Sequence, residues 1–216
     1  MSADHIAWTL APGFDTRFWV LLLHAVGRIA APCMFFFVAE GFYHTKSLKK
    51  YALRLAALAV VSHFAYCFCF DIPFASLRTS VIWGLLCGLM LLCVNNKDSL
   101  SQGKKSLLII ILCILSIPSD WSVAGAAAIL FTGIGRGDFG KQMRYLALCM
   151  AAYCVVFFFC IDRTYGLIQL FSLLALPLLS LYNGERGECR KLGRFFYVYY
   201  PAHLALLGLL RVLLKA

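Results

Sequence analysis

The chain predicts an all-α bundle of about eight to nine transmembrane helices joined by short loops. Three observations carry that prediction. The composition is 62% hydrophobic and only 14% charged, with a mean hydropathy of +0.82. Soluble domains are nearer half apolar and one-quarter charged. Apolar runs recur at about the 17 to 25 residues that one bilayer crossing needs. Finally, the gaps between those runs alternate between strongly basic and nearly non-basic.

Each element follows from these runs. The apolar start, Ala3 to Leu10, is too short to cross alone and reads as the second half of a first helix. Full-length spans are expected over 18–44, 51–71, 77–94, 143–162, 165–181 and 193–214. Two shorter ones, 104–118 and 121–135, flank a break at Pro118-Ser119-Asp120. No cleavable signal peptide is expected, because the opening residues are a polar turn signal without a basic stretch.

The loops orient the bundle. Lys46, Lys49, Lys50 and Arg54 fill one gap; Lys97, Lys104 and Lys105 the next; Arg136, Lys141 and Arg144 a third; Arg186, Arg190, Lys191 and Arg194 a fourth. The intervening gaps hold only Arg17, Arg78 and Arg163, beside Asp15, Asp71, Asp120 and Asp162. Fourteen basic residues against three put the basic loops in the cytoplasm and the C-terminus outside. The net charge of +10 therefore reflects membrane orientation and no nucleic-acid partner is expected. The loops leave room for one membrane domain, 1–216, and a bacterial cytoplasmic (inner) membrane is the expected location. No internal repeat is visible, which weighs against the many transporters built from repeats. Nine of the ten cysteines lie in apolar segments, where Cys is a small buried hydrophobe, and no metal site is expected.

Function has to be sought in the polar residues placed at membrane depth, since such groups usually meet a partner or a water-filled cavity. Gly27 through Phe42 is an apolar run interrupted by Arg28 and Glu40. Twelve helical residues rise about 18 Å, so these two cannot pair within one straight helix and each needs a different partner. His24, Arg28 and Pro32 share a helix face, as do Glu40 and His44. Asp4 and His5 are neighbours in the first helix. A carboxylate can orient an adjacent imidazole that acts as a base, yet consecutive helical residues point about 100° apart, so Asp4 could serve another partner. Both could also simply face water. Tyr51 and Arg54 open the third span beside the Lys46, Lys49 and Lys50 cluster, where nucleotide phosphates would find guanidinium and ammonium groups. The last span carries Tyr197, Tyr199, Tyr200, the kink-forming Pro201 and His203. No HExxH, Walker loop, dinucleotide fingerprint or GxSxG elbow is present.

Taken in order, several segments resemble the TraX family, which takes its name from the membrane enzyme that acetylates the N-terminus of conjugative pilin. They are Asp4-His5-Ile6 with Trp8; Gly27-Arg28-Ile29 with Pro32; Phe37 through Glu40-Gly41-Phe42-Tyr43-His44-Thr45; Tyr51 and Arg54-Leu55; Ser62 with Tyr66; Asp120-Trp121; Tyr182-Asn183-Gly184; and Phe196-Tyr197 with Tyr200-Pro201 and His203. The family is similar to larger transmembrane acyltransferases that take an acyl group from cytoplasmic acyl-CoA. The resemblance implies that His5 activates the acceptor or carries the acyl group, with Asp4 as its helper. It implies that Arg28 and Glu40-Gly41-Phe42 wall an acyl tunnel and that Arg54 faces the CoA phosphates. Family members usually carry about one and a half dozen further residues before the Asp-His pair, so the first helix is expected to be truncated here.

The combined expectation is a membrane acyltransferase. His5 and Asp4 are the candidate catalytic residues. Arg28, Glu40, His44, Tyr51, Arg54 and Lys191 are candidates for binding acetyl-CoA or another acyl-CoA. Asn183, Tyr197, Tyr200 and His203 are candidates for substrate or oxyanion contacts, the oxyanion falling to Arg28 or His203. The acceptor could be a pilin-like N-terminus, a glycan, a lipid or a small metabolite, with membrane lipids as surroundings. Two other readings stay open: a small transporter or channel using the Arg, Glu and His residues as a path, and a non-catalytic assembly factor.

Overall fold

A computed structural model describes residues 1–185 and 190–215, with side chains for 1–185 and 195–214. Eleven α-helices follow in order among the described residues: α1 (Ser2–Leu10), α2 (Phe18–Arg28), α3 (Ala30–His44), α4 (Leu48–Phe70), α5 (Val81–Asn95), α6 (Gln102–Ser116), α7 (Ser122–Ile134), α8 (Phe139–Cys160), α9 (Arg163–Gln169), α10 (Ala175–Leu179) and α11 (Arg190–Lys215). A 3-10 stretch, Leu170–Leu174, joins α9 to α10.

The helix ends have local causes. Ser47 caps α4 by accepting from the Lys50 amide (3.3 Å), and Asp138 caps α8 by accepting from that of Lys141 (2.9 Å). Both helices therefore begin three or four residues before the expected spans, in polar residues that hydropathy discounts. The α2–α3 pair is one 27-residue apolar span broken at Ile29. Pro32 lacks the N–H that would bond the carbonyl of Arg28, which kinks the helix there.

Two expected spans need correction. The span expected over 77–94 starts only at Val81, because the Thr79 amide leaves the helical ladder to bond Pro118 O (3.0 Å) across the bundle. The span expected over 165–181 is helical over Arg163–Leu179 but not α-helical throughout. Pro177 releases the carbonyl of Leu173, and the chain tightens into the 3-10 stretch before α10.

Among the described residues, four helices are long and apolar enough to cross a membrane: Phe18–His44, Leu48–Phe70, Phe139–Cys160 and Phe195–Leu214. Helix α7 lies centrally against α3, α5 and α8, and α4 packs along α11. The buried core runs through Phe35, Phe36, Leu89, Leu92, Ile129, Leu146 and Met150. The outer faces stay apolar: Leu53, Val60 and Phe64 on α4, Ile110 and Ile114 on α6, Val155 and Phe159 on α8, and Leu206 and Leu213 on α11 are all exposed. Such continuous apolar girdles are not tolerated in water. The chain is an integral membrane helix bundle.

The loops gather at two ends. At one, Tyr165 donates to Asp15 O (2.9 Å), the 71–80 and 117–121 loops pair through Thr79, and Arg211 bridges Asp71 (2.6 Å). Asp15 there takes hydrogen bonds from the Arg17 side chain and amide, which hold its carboxyl below the usual range. At the other, Tyr43 donates to Gly133 O (2.9 Å) and Lys105 to Asn95 O (3.1 Å). This second end carries the basic loops.

Helix α1 crosses α2 at Gly27, where an added Cβ would strike Asp4 Cβ and sit 2.8 Å from the Asp4 amide nitrogen. Only a residue without a side chain lets the two backbones approach this closely. We expect Gly27→Ala to push α1 off α2 and lower stability by roughly 1–3 kcal/mol. The thermal midpoint of the detergent-purified variant checks it, and an unchanged midpoint would show that the crossing is loose.

Candidate active site

Helix α1 sends its two polar neighbours in different directions. Asp4 turns to α2, where its Oδ1 accepts from His24 Nδ1 (2.6 Å) and pairs with Arg28 (3.0 Å). His24 and Arg28 reach one carboxylate together because they lie four residues apart on one helix face. The rings of Trp8 and Tyr165 close over His24. His5 turns instead to α11, with its Nδ1 2.8 Å from His203 Nε2 and the two rings side by side, within 5° of parallel, their centroids 5.1 Å apart. Asp4 is thus not the orienting partner of His5, contrary to what the family resemblance implied. The angular offset between adjacent helical residues is the reason.

His203 is held in turn. Its Nδ1 lies 3.0 Å from Tyr199 O one turn earlier, and its ring stacks on Tyr199 at 5.2 Å. With both nitrogens engaged, His203 has no donor left for an oxyanion. Arg28 differs: its Nε is buried without a hydrogen-bond partner among the described residues. Tyr200 is buried, its ring edge-on to His5 at 6.1 Å and its hydroxyl near Ser80.

His5 and Arg28 line a cavity of about 630 Å³ with Asp4, Tyr66, Asp120, Trp121 and Tyr153. Pro12, Gly13, Asp71, Ile72, Arg78 and Ile161 also border it, so it opens at the end away from the basic loops. A second opening beside Pro118 and Ser119 shares Tyr66, Arg78, Asp120 and Tyr153. The short helices explain the space. Helix α6 has 15 residues and α7 has 13. At about 1.5 Å per residue each falls short of the roughly 30 Å apolar layer, so their joining turn lies below the surface. In that turn Ser122 adopts a positive φ of 46°. Asp120 accepts a 2.6 Å hydrogen bond from the Tyr66 hydroxyl, and its carbonyl accepts from Tyr153 (3.0 Å).

Asp120, Tyr66 and His24 were not among the expected site residues. For Asp120 the signal was available: a carboxylate at a break inside an apolar region, followed by Trp121. His24 was marked only by its helix face shared with Arg28, and Tyr66 only by the family resemblance, because their partners lie 20 and 54 residues away.

A second cavity, about 560 Å³, lies at the basic end. Glu40, Gly41, His44, Lys46, Lys50, Tyr51 and Arg54 line it, with Phe37 and Tyr182 on its apolar side. Glu40 has partners on its own helix and beyond it: His44, one turn on, lies at 3.4 Å, while Gln142 donates to it (2.9 Å) and Arg136 approaches at 3.6 Å. Arg136 also lies over the Tyr43 ring at 4.5 Å. Arg28 and Glu40 therefore have separate partners, as their spacing required, and stand in different cavities. Arg28 belongs with His5, whereas Glu40, His44, Tyr51 and Arg54 form the basic cavity. Asn183 is exposed at that end, where its side chain accepts from the Glu185 amide (3.0 Å). Tyr197 is half-buried on α11, near Tyr51. The Lys191 side chain lies outside the described residues.

The fold and its two cavities define an all-helical membrane protein with histidine and basic sites at opposite ends. The TraX protein family matches residues 1–211, and the chain belongs to that family. It is also 30% identical over 224 residues to the probable fimbrial assembly protein FimC, serogroup H1, of Dichelobacter nodosus, covering 96% of this chain and 89% of that one. No solved structure matches the chain.

Proposed function

We propose that the chain is a membrane acyltransferase that moves an acetyl or other acyl group from acyl-CoA to an amine or hydroxyl acceptor. One observation carries this reading: His5, its Nδ1 engaged by His203, lines a cavity open at one end of the bundle, while a separate basic cavity opens at the other. A volume of about 560 Å³ lies in the range of small-molecule sites. Lys46, Lys50 and Arg54 supply positive charge for CoA phosphates there. The positive-inside pattern puts this end in the cytoplasm, where acyl-CoA is made, and the cytoplasmic membrane of a bacterium suits it. Tyr197, near Tyr51 of the basic cavity, and His203, beside His5, lie six residues, about 9 Å of rise, apart on α11.

In the reaction, the acceptor N–H or O–H gives its proton to His5 Nε2 as its nitrogen or oxygen bonds the thioester carbonyl carbon. Arg28 Nε, otherwise without a partner, steadies the oxyanion that forms. The tetrahedral intermediate then expels the CoA sulfur, and the thiolate takes the proton held at His5 Nε2, which restores the base. Asp120 borders the acceptor's path and suits an ammonium group. The relative's description as a fimbrial assembly protein supports a pilin-like N-terminus as acceptor.

Arg54→Ala is expected to raise the Kd for acetyl-CoA about tenfold, because one charge-assisted phosphate contact contributes about 1.5–3 kcal/mol. Equilibrium dialysis of the detergent-purified protein checks this. Equal affinity in the variant would place the nucleotide elsewhere. Solute flux into liposomes without any CoA binding would favour a transporter, and an intact protein with neither activity an assembly role.

A further inference from the structure

We propose that His203 is a positioning residue: it holds His5 in the tautomer protonated at Nδ1 and so presents the Nε2 lone pair to the cavity. Tyr199 O can only accept, so the His203 Nδ1 that lies 3.0 Å from it carries a hydrogen. In a neutral imidazole the other nitrogen is then an acceptor, which fixes His203 Nε2 as a lone pair. His5 Nδ1, 2.8 Å away, must donate to it. The remaining nitrogen of His5, Nε2, is left unprotonated and has no hydrogen-bond partner among the described residues.

The chain of donors runs one way, from His5 to His203 to Tyr199 O. It does for His5 what a carboxylate does for a histidine base elsewhere, without placing a charge in the membrane. The ring planes are fixed as well: His203 stacks on Tyr199 and lies nearly parallel to His5, edge to edge with it, and Phe70 and Tyr200 meet the His5 ring edge-on. Tyr199 is itself tied to α1 through its hydroxyl, 2.7 Å from Ser2 Oγ. The geometry also separates positioning from proton relay. His203 Nε2 would be the relay atom, but a residue that merely accepts from His5 Nδ1 satisfies the positioning role. The glutamine Oε1 reaches about where the histidine Nε2 stands, and it accepts without taking a proton.

This proposal rests on the acyltransferase reading for its kinetic arm and is independent of it for its spectroscopic arm. The test labels the five histidines with ¹⁵N in detergent-purified wild type and in His203→Gln and His203→Ala, with His5 assigned from the spectrum of His5→Gln. The wild type is expected to show His5 protonated at Nδ1, retained in His203→Gln and lost in His203→Ala. In acetyl transfer, His203→Ala is expected to lose about 10²–10⁴ in kcat with little change in KM, as for a base left in the wrong tautomer. His203→Gln is expected to keep activity within about tenfold of wild type. A wild-type His5 protonated at Nε2 would overturn the proposal, whatever the activity. Equal loss of kcat in both variants would overturn it in favour of a proton relay. No turnover by the wild type would sink the acyltransferase reading alone, leaving the tautomer signals to decide this one.

Discussion

His5→Ala is expected to reduce acyl transfer by about 10²–10⁴, the range of general-base catalysis. The protein should remain folded, because His5 is a modest part of the contact between α1 and α11. Thr9, a turn later, also reaches Cys69 of α4 at 3.6 Å, and α1 is further held by α2. Binding of acetyl-CoA should survive, since the basic cavity is built from α3 and α4 at the opposite end. The informative result is this combination: melting temperature and donor affinity near wild type, with transfer lost. Transfer at the wild-type rate would remove His5 from the chemistry.

Asp4→Ala is expected to have the largest effect on stability, about 3–5 kcal/mol. A single carboxylate oxygen serves both Arg28 and His24, and Arg28 is only 8% exposed. Removing it leaves a guanidinium at membrane depth without its counter-charge, while the orphaned Arg28 Nε already lacks a partner. For a chain of this length the loss corresponds to about 6–20 °C in thermal midpoint. Asp4→Asn keeps an acceptor for one of the two donors and should fall between wild type and alanine. A midpoint unchanged in Asp4→Ala, with activity abolished, would instead mark Asp4 as part of the chemistry.

These two variants divide the Asp4-His5 pair into a structural residue and a chemical one, a division only half visible in the sequence. The 100° offset allowed it, but the opposing idea of an orienting carboxylate was equally compatible with adjacency. What decides between them is the packing of α1 between α2 and α11, and His203 lies 198 residues away from His5. The separation of Arg28 from Glu40 was legible from helical rise alone. Their partners were not: Arg28 meets Asp4 on α1, and Glu40 meets Gln142 and Arg136 near the α7–α8 turn.

The bundle itself was more accessible. Apolar length locates the four helices long and apolar enough to cross a membrane, because the bilayer imposes that length. Boundaries went astray where polar atoms decide them. Ser47 and Asp138 extend helices into lysine-containing turns, the Thr79 amide bonds Pro118 O before α5, and Pro177 breaks an apolar run into 3-10 and α pieces. Hydropathy is blind to each of these. The cavity at the His5 end was hidden for a related reason, since it arises from α6 and α7 ending short around Asp120, a depth that only the assembled bundle defines.

The most direct test of the central claim is acetyl transfer by the purified protein in liposomes. Labelled acetyl-CoA would be supplied at the basic face and an N-terminal pilin-type peptide at the other, with wild type and His5→Ala side by side. The account predicts label on the peptide α-amine and stoichiometric release of CoA thiol with wild type, and acetyl-CoA binding without transfer in the variant. Label transferred equally by His5→Ala, or acetyl-CoA bound by neither protein, would contradict it.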